Sequence, residues 1–152
     1  MEKLHKVEDF KLVEVAIKDI INVSVDSWEV QLYNKRIGKS LYIIADIGQI
    51  TSMLYGLSKT VNMALTPPIQ KFVNDLCKYN KMELTSVIIN HQEETLSYAK
   101  VEIKDKDNFV YFDISSGDAI AIATINNIPI YTLPSLLQED SGDSEIEFLL
   151  ES

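Results

Sequence analysis

Asp113-Ile114-Ser115-Ser116-Gly117-Asp118-Ala119-Ile120-Ala121-Ile122-Ala123, continuing through Thr124-Ile125-Asn126-Asn127 to Ile128-Pro129-Ile130-Tyr131, is the stretch on which the fold turns. Asp113 closes an apolar strand. Ser115, with Asp118 three residues on, has the spacing of a helix start in which a hydroxyl caps a backbone N–H. Ala119, Ile120, Ile122, Ala123 and Ile125 then leave the helix apolar nearly all round, which is the pattern of a fully buried helix. Asn126-Asn127 ends it. The short strand from Ile128 to Tyr131 carries Pro129, and proline favours a sheet edge.

A helix that must be covered on every side needs strands and further helices around it, and the upstream sequence supplies both. Lys11 to Ile17 alternates apolar and polar residues, as a strand with one wet face does. Ile20 to Val25 is apolar and β-branched and reads as a second strand. Trp28, Val30 and Leu32 share one side of the next strand, and the turn residues from Asn34 to Lys39 join it to Leu41–Ala45 as a hairpin. Ile50, Met53, Leu54, Leu57 and Val61 then fall at helical spacing, with Asp46 at the N-cap and Gln49 in the capping-box position. Thr66 and Pro67 signal the start of another helix, whose apolar face is Ile69, Phe72, Val73 and Leu76, ending near Asn80. Strands return over 84–90, 96–103 and 109–114, and Leu133 to Gln138 forms a helical turn. The expected architecture is α+β: a mixed, mostly antiparallel sheet with about three helices. Its divisions are an N-terminal segment 1–9, a domain 10–138, and an acidic tail 139–152 expected to be mobile.

At 152 residues and 46% hydrophobic, the chain is long and apolar enough for one domain with its own core. No apolar run reaches the roughly 18 residues of a membrane span. Its N-terminus is charged where a signal peptide would be apolar, and its one cysteine, Cys77, builds no disulfide framework. These features predict a cytoplasmic protein that does not engage membranes. The formal charge is −9. Six of the 23 acids lie after Leu137 with no base among them, and the other 17 face 14 bases. Phosphate contacts need Lys and Arg. A chain with the single arginine Arg36 lacks the usual nucleic-acid footprint.

The stretch from Leu41 through Thr66-Pro67 and Val87-Ile88-Ile89 to Asp113–Ala123 and Pro129-Ile130-Tyr131 resembles the bifunctional nuclease (DNase/RNase) domain, over residues from about Trp28 to Leu137. The most specific matches are Asp113, Asp118 to Ala123, and Pro129-Ile130-Tyr131. The polar positions depart from the family pattern. Where the family has Arg-Pro-x-Thr-His-Asp, this chain has Thr66-Pro67-Pro68-Ile69-Gln70-Lys71. Where it has Arg-Pro-Ser before the last aspartate, this chain has Ser115-Ser116-Gly117. In place of Ile-Gly and a helix glutamate stand Ala45-Asp46 and Gln49. The resemblance implies an α+β homodimer that hydrolyses DNA and RNA. The replaced positions imply weak or lost catalysis, and in the alternative a non-catalytic homodimeric binding or scaffold protein acting through a pocket or the acidic tail.

Hydrolysis of a phosphodiester with a metal needs clustered carboxylates to hold Mg²⁺ or Mn²⁺. Asp113 and Asp118 are the catalytic candidates, and Asp46 joins them as a third cation ligand. The competing reading of Asp46 and Asp118 is local: both stand at helix starts, where a carboxylate satisfies open N–H groups. Ser115 and Ser116, at a helix N-terminus, and Arg36 are the candidate substrate contacts, although Asp118 in the same first turn repels an anion. His91 reads as a surface histidine and Cys77 as a buried thiol. The cluster of Lys35, Arg36 and Lys39, and that of Lys100, Lys104 and Lys106, read as solvated loop charge. Ile146-Glu147-Phe148-Leu149-Leu150 gives the tail an apolar patch suited to docking on a partner or on its own domain, against the alternative of a plain solubility tail.

Overall fold

A computed structural model describes residues 11–58, 68–94 and 96–139. The strands are β1 (Val13–Asn22), β2 (Trp28–Asn34), β3 (Lys39–Ala45), β4 (Met82–Glu93), β5 (Leu96–Asp105), β6 (Asn108–Ser115) and β7 (Ile130–Thr132). The helices are α1 (Ile47–Leu57), α2 (Ile69–Tyr79) and α3 (Ser116–Asn126), with a 3-10 turn at Pro134–Leu136. The strands form one mixed sheet in the order β3-β2-β1-β7-β4-β5-β6. Every pairing is antiparallel except β4 with β7. This is the α+β class that the sequence predicts.

Two strand expectations change. The segments from Lys11 and from Ile20 form one strand, β1, whose pairing with β2 skips a residue between Ile17 and Asp19. Lys18 and Asp19 interrupt the apolar run in sequence, and a bulge absorbs them within the one strand. The second change concerns β7, which lies between β1 and β4 and not at an edge. Pro129 stands just before the ladder. Its missing N–H is never called on, and its carbonyl accepts from Val87 N at 3.1 Å.

The sheet curls around α3. Gln92 Nε2, at the end of β4, donates to Tyr42 O on β3 at 2.6 Å, although three strands separate β4 from β3 in the sheet order. Within that curl α3 buries Ser116, Gly117 and every residue from Ala119 to Ala123. They meet Val30, Leu32, Leu41 and Ile43 from β2 and β3, Val87 and Ile89 from β4, and Ala99 and Val101 from β5 in one core. Each such aliphatic side chain contributes on the order of 2 kcal/mol by leaving water. Asn127 terminates α3 in the left-handed region at φ 54°, a conformation asparagine tolerates.

Packing between helices is closest where α1 crosses α3. A Cβ on Gly56 would stand 2.8 Å from the carbonyl carbon of Thr124 and 2.9 Å from Ile125 N, so only glycine allows this approach. The helix α2 departs from expectation in its orientation. It buries Gln70 and Cys77, while Ile69, Phe72 and Leu76 of its apolar stripe stay exposed. Its backbone begins at Ile69 after Pro68. The expected cap at Thr66 and Pro67, the helical contribution of Val61, the N-terminal segment 1–9 and the tail beyond Glu139 lie outside the described residues.

Candidate functional site

The start of α1 and the start of α3 meet at one polar cluster. Asp46 Oδ1 accepts from Gln49 N at 2.8 Å, and Gln49 Oε1 accepts from Asp46 N at 3.0 Å, completing the capping box expected from the sequence. That second bond fixes the amide orientation, because only the oxygen can accept from an N–H. The Gln49 NH₂ is thereby turned toward α3. It donates to Asp118 Oδ1 at 3.0 Å and lies 3.5 Å from Ser115 Oγ. Ser115 Oγ donates to Asp118 Oδ2 at 2.9 Å and accepts from Asp118 N at 3.3 Å, as the N-cap of α3. Gly117 makes room for the bridge: a Cβ there would fall 2.3 Å from Gln49 Oε1. A cavity of about 240 Å³ opens beside the cluster, lined by Ile69, Gln70, Val73, Ile114, Asp118 and Ile122.

The other predicted residues are placed elsewhere. Asp113 is on β6, one residue before Ile114, which faces the cavity under α2 and α3. Alternation along the strand therefore sends Asp113 to the opposite face of the sheet. There it pairs with Lys100, its cross-strand neighbour on β5. Ser116 is buried, its hydroxyl 2.6 Å from that of Ser97 on β5, so it ties α3 to the sheet. Arg36 lies in the β2–β3 turn, beyond the Lys39 end of β3. Seven residues of strand, about 20 Å, separate that end from Asp46. The structure thus joins Asp46, Gln49, Ser115 and Asp118, and separates Asp113, Ser116 and Arg36 from them.

A divalent cation asks for several oxygens aimed at one point. Here an N–H points at Asp118, the Asp46 carboxylate is engaged by its own helix, and Asp113 stands on the far face. Among the described residues no three His, Cys, Asp or Glu side chains come together as metal ligands. The structure brings Asp46 and Asp118 together through Gln49 and holds Asp113 with Lys100 on the opposite face of the sheet.

Basic residues are spread over several local partners. Lys100 and Lys104 stand on β5 and not on a loop. Lys104 Nζ lies 6.0 Å from the Phe109 ring centroid, Lys18 Nζ lies 4.5 Å from that of Tyr33, and Lys39 pairs with Glu139 at 3.6 Å. His91 is on the surface, 3.7 Å from Glu93. One polar group was not legible in the sequence. Glu102 on β5 accepts from Thr85 Oγ1 at 2.7 Å, Ser86 Oγ at 3.2 Å and Tyr111 Oη at 2.7 Å. Its signal, a glutamate opposite a tyrosine across two strands, appears only once the register is known.

Burial pushes the Cys77 thiol above its ordinary value of 9.0. The neutral thiol is therefore the folded form throughout the physiological range. The stability tied to it is full below the ordinary pKa and declines as pH rises through the higher folded value. Labelling of the native chain by a maleimide at pH 7.5 is expected to be at least tenfold slower than in 6 M urea, followed by mass spectrometry.

The fold and cluster define a class: an α+β domain whose sheet wraps a buried helix, with a polar group at that helix's N-terminus. The family model described as the bifunctional nuclease domain matches residues 30–145, more than half of the chain, and the chain belongs to that family. No curated protein matches it. No described helix is long and apolar enough to cross a membrane.

Proposed function

We propose that this chain is a bifunctional nuclease family member that kept the domain but has weak or no hydrolysis, and that it acts in the cytoplasm as a homodimeric binding protein. The observation that carries this reading is the Gln49 amide on Asp118. In the family pattern a glutamate belongs in that helix. Two carboxylates so close favour a shared proton or cation, whereas an amide satisfies Asp118 without either. The acidic balance of the chain adds to the reading, because few bases are left to hold a polyanion. Binding would use the cavity beside Asp118 or the acidic segment 139–152, whose Phe148, Leu149 and Leu150 suit a protein partner.

Family membership supports a second reading, a metal-dependent phosphodiesterase relying on Asp113 and Asp118. One assay separates the two. The purified chain and its Asp113→Ala/Asp118→Ala variant are incubated with single-stranded RNA and DNA in Mg²⁺ or Mn²⁺. Equal background cleavage by both supports the binding reading. Cleavage by the unmutated chain that the variant loses would establish the enzyme.

A further inference from the structure

The helix α2 packs on the domain by its less apolar side. It turns Gln70 and Cys77 inward, and among the described residues Gln70 Oε1 is buried without a hydrogen-bond partner. Meanwhile Ile69 is 65% exposed, Phe72 56%, Leu76 48% and Tyr79 85%. These four are spaced by three or four residues and share one side of the helix. At 100° per residue that side is centred roughly a third of a turn from the buried one. Exposing aliphatic and aromatic side chains while burying an unpaired amide oxygen is unfavourable on both counts unless something covers the stripe.

The sheet continues the same surface. Val110 and Phe112, on the helix-bearing face of β6, are 38% and 56% exposed. β6 pairs with β5 alone among the described strands, and so ends the sheet. The opposite edge is treated differently: Ser40 on β3 exchanges two backbone hydrogen bonds with Gln138, at 2.8 and 2.6 Å. One edge is bridged at a single position, and the other meets no further described strand and carries apolar side chains on its helix side, a template for a further strand.

We infer that Ile69, Phe72, Leu76, Tyr79, Val110 and Phe112 form the face on which a second copy of this chain docks, the two β6 edges meeting antiparallel across a twofold axis. The inference rests on the homodimer reading above and gives it a surface. Three arguments select a second copy. An open antiparallel edge is self-complementary about a twofold axis. The six side chains carry no charge, and the ion pairs beside them, Lys71 with Asp75 at 3.2 Å and Lys100 with Asp113, are each neutral within one copy. A chain of charge −9 therefore meets itself without like charges at the centre of the interface. Finally, the exposed parts of these side chains amount to roughly 700 Å² per copy, or about 1,400 Å² for the pair, the size of a standard stable interface.

The test compares sedimentation mass of the full chain with that of Phe72→Asp/Leu76→Asp and of Val25→Asp. Val25 is 95% exposed on the β1–β2 connection and serves as a control patch. Circular dichroism and urea midpoints establish that each variant is folded. The unmutated chain and Val25→Asp are expected at twice the monomer mass at 10 μM, and the double variant at the monomer mass. A double variant that stays dimeric would overturn the inference while leaving the homodimer reading intact. An unmutated chain that is monomeric at 100 μM would overturn both. Should the double variant fail to fold, Phe112→Lys, at a half-exposed strand position, answers the same question.

Discussion

Gln49→Glu is expected to lower the melting temperature of the chain at pH 7 by about 3–6 °C, and millimolar Mn²⁺ to restore most of the loss. The substitution changes neither the size nor the reach of the side chain. It does replace an N–H donor 3.0 Å from Asp118 Oδ1 with an oxygen of like charge. A hydrogen bond to a charged acceptor contributes roughly 1.5–3 kcal/mol, and the exposure of Asp118 puts this one at the lower end of that range. In a chain of 152 residues, 1 kcal/mol corresponds to about 2–4 °C. The new carboxylate, Asp118 and Ser115 Oγ would offer oxygens to a cation, and ion binding to the folded state alone offsets the repulsion. Scanning calorimetry with and without Mn²⁺ reads both effects. An unchanged melting temperature in the absence of metal would show that the amide bridge contributes nothing.

Ile120→Ala is expected to cost about 4 kcal/mol, the larger effect of the two. Ile120 is fully buried at the centre of α3, a helix enclosed by the sheet and by α1 and α2. A cavity there cannot collapse, because the surrounding strands are tied through Gln92 to Tyr42 and through Ser97 to Ser116. Removing an isoleucine to alanine at such a position lies toward the upper part of the 2–5 kcal/mol range, and the gain in helix propensity returns only a few tenths. Urea unfolding should show a lower midpoint with the slope unchanged. A loss below 1 kcal/mol would mean that α3 is not the centre of the core.

How far the sequence carries the reader depends on whether a residue's role is local. The burial of α3 was legible because its composition leaves no polar side to expose. Asp46 and Gln49 were legible as a capping box because both partners lie within four residues. The bridge from Gln49 to Asp118 was not, since its two ends are 69 residues apart and meet only when α1 packs on α3. Pro129 pointed to an edge because periodicity cannot say that the ladder begins one residue later. The apolar stripe of α2 pointed inward because sequence patterns assume that the nearest core is the partner. In this chain Gln70 and Cys77 take that place, and Asn126 Nδ2 holds the helix by donating to Gln70 O at 3.0 Å. The separation of Asp113 from Asp118 followed from strand alternation, a rule available beforehand. It could be applied only once β6 was known to run unbroken to Ser115.

The central claim is that the Gln49 amide occupies the place where the family pattern puts a carboxylate, and so leaves Asp118 satisfied without a cation. The side-chain amide resonances of Gln49, assigned by NMR and followed through a Mn²⁺ titration, test this most directly, since a bound paramagnetic ion within about 10 Å would erase them. Both amide proton signals are expected to persist up to 1 mM Mn²⁺, the one bonded to Asp118 shifted downfield. Their selective loss at micromolar Mn²⁺, with resonances elsewhere intact, would contradict it.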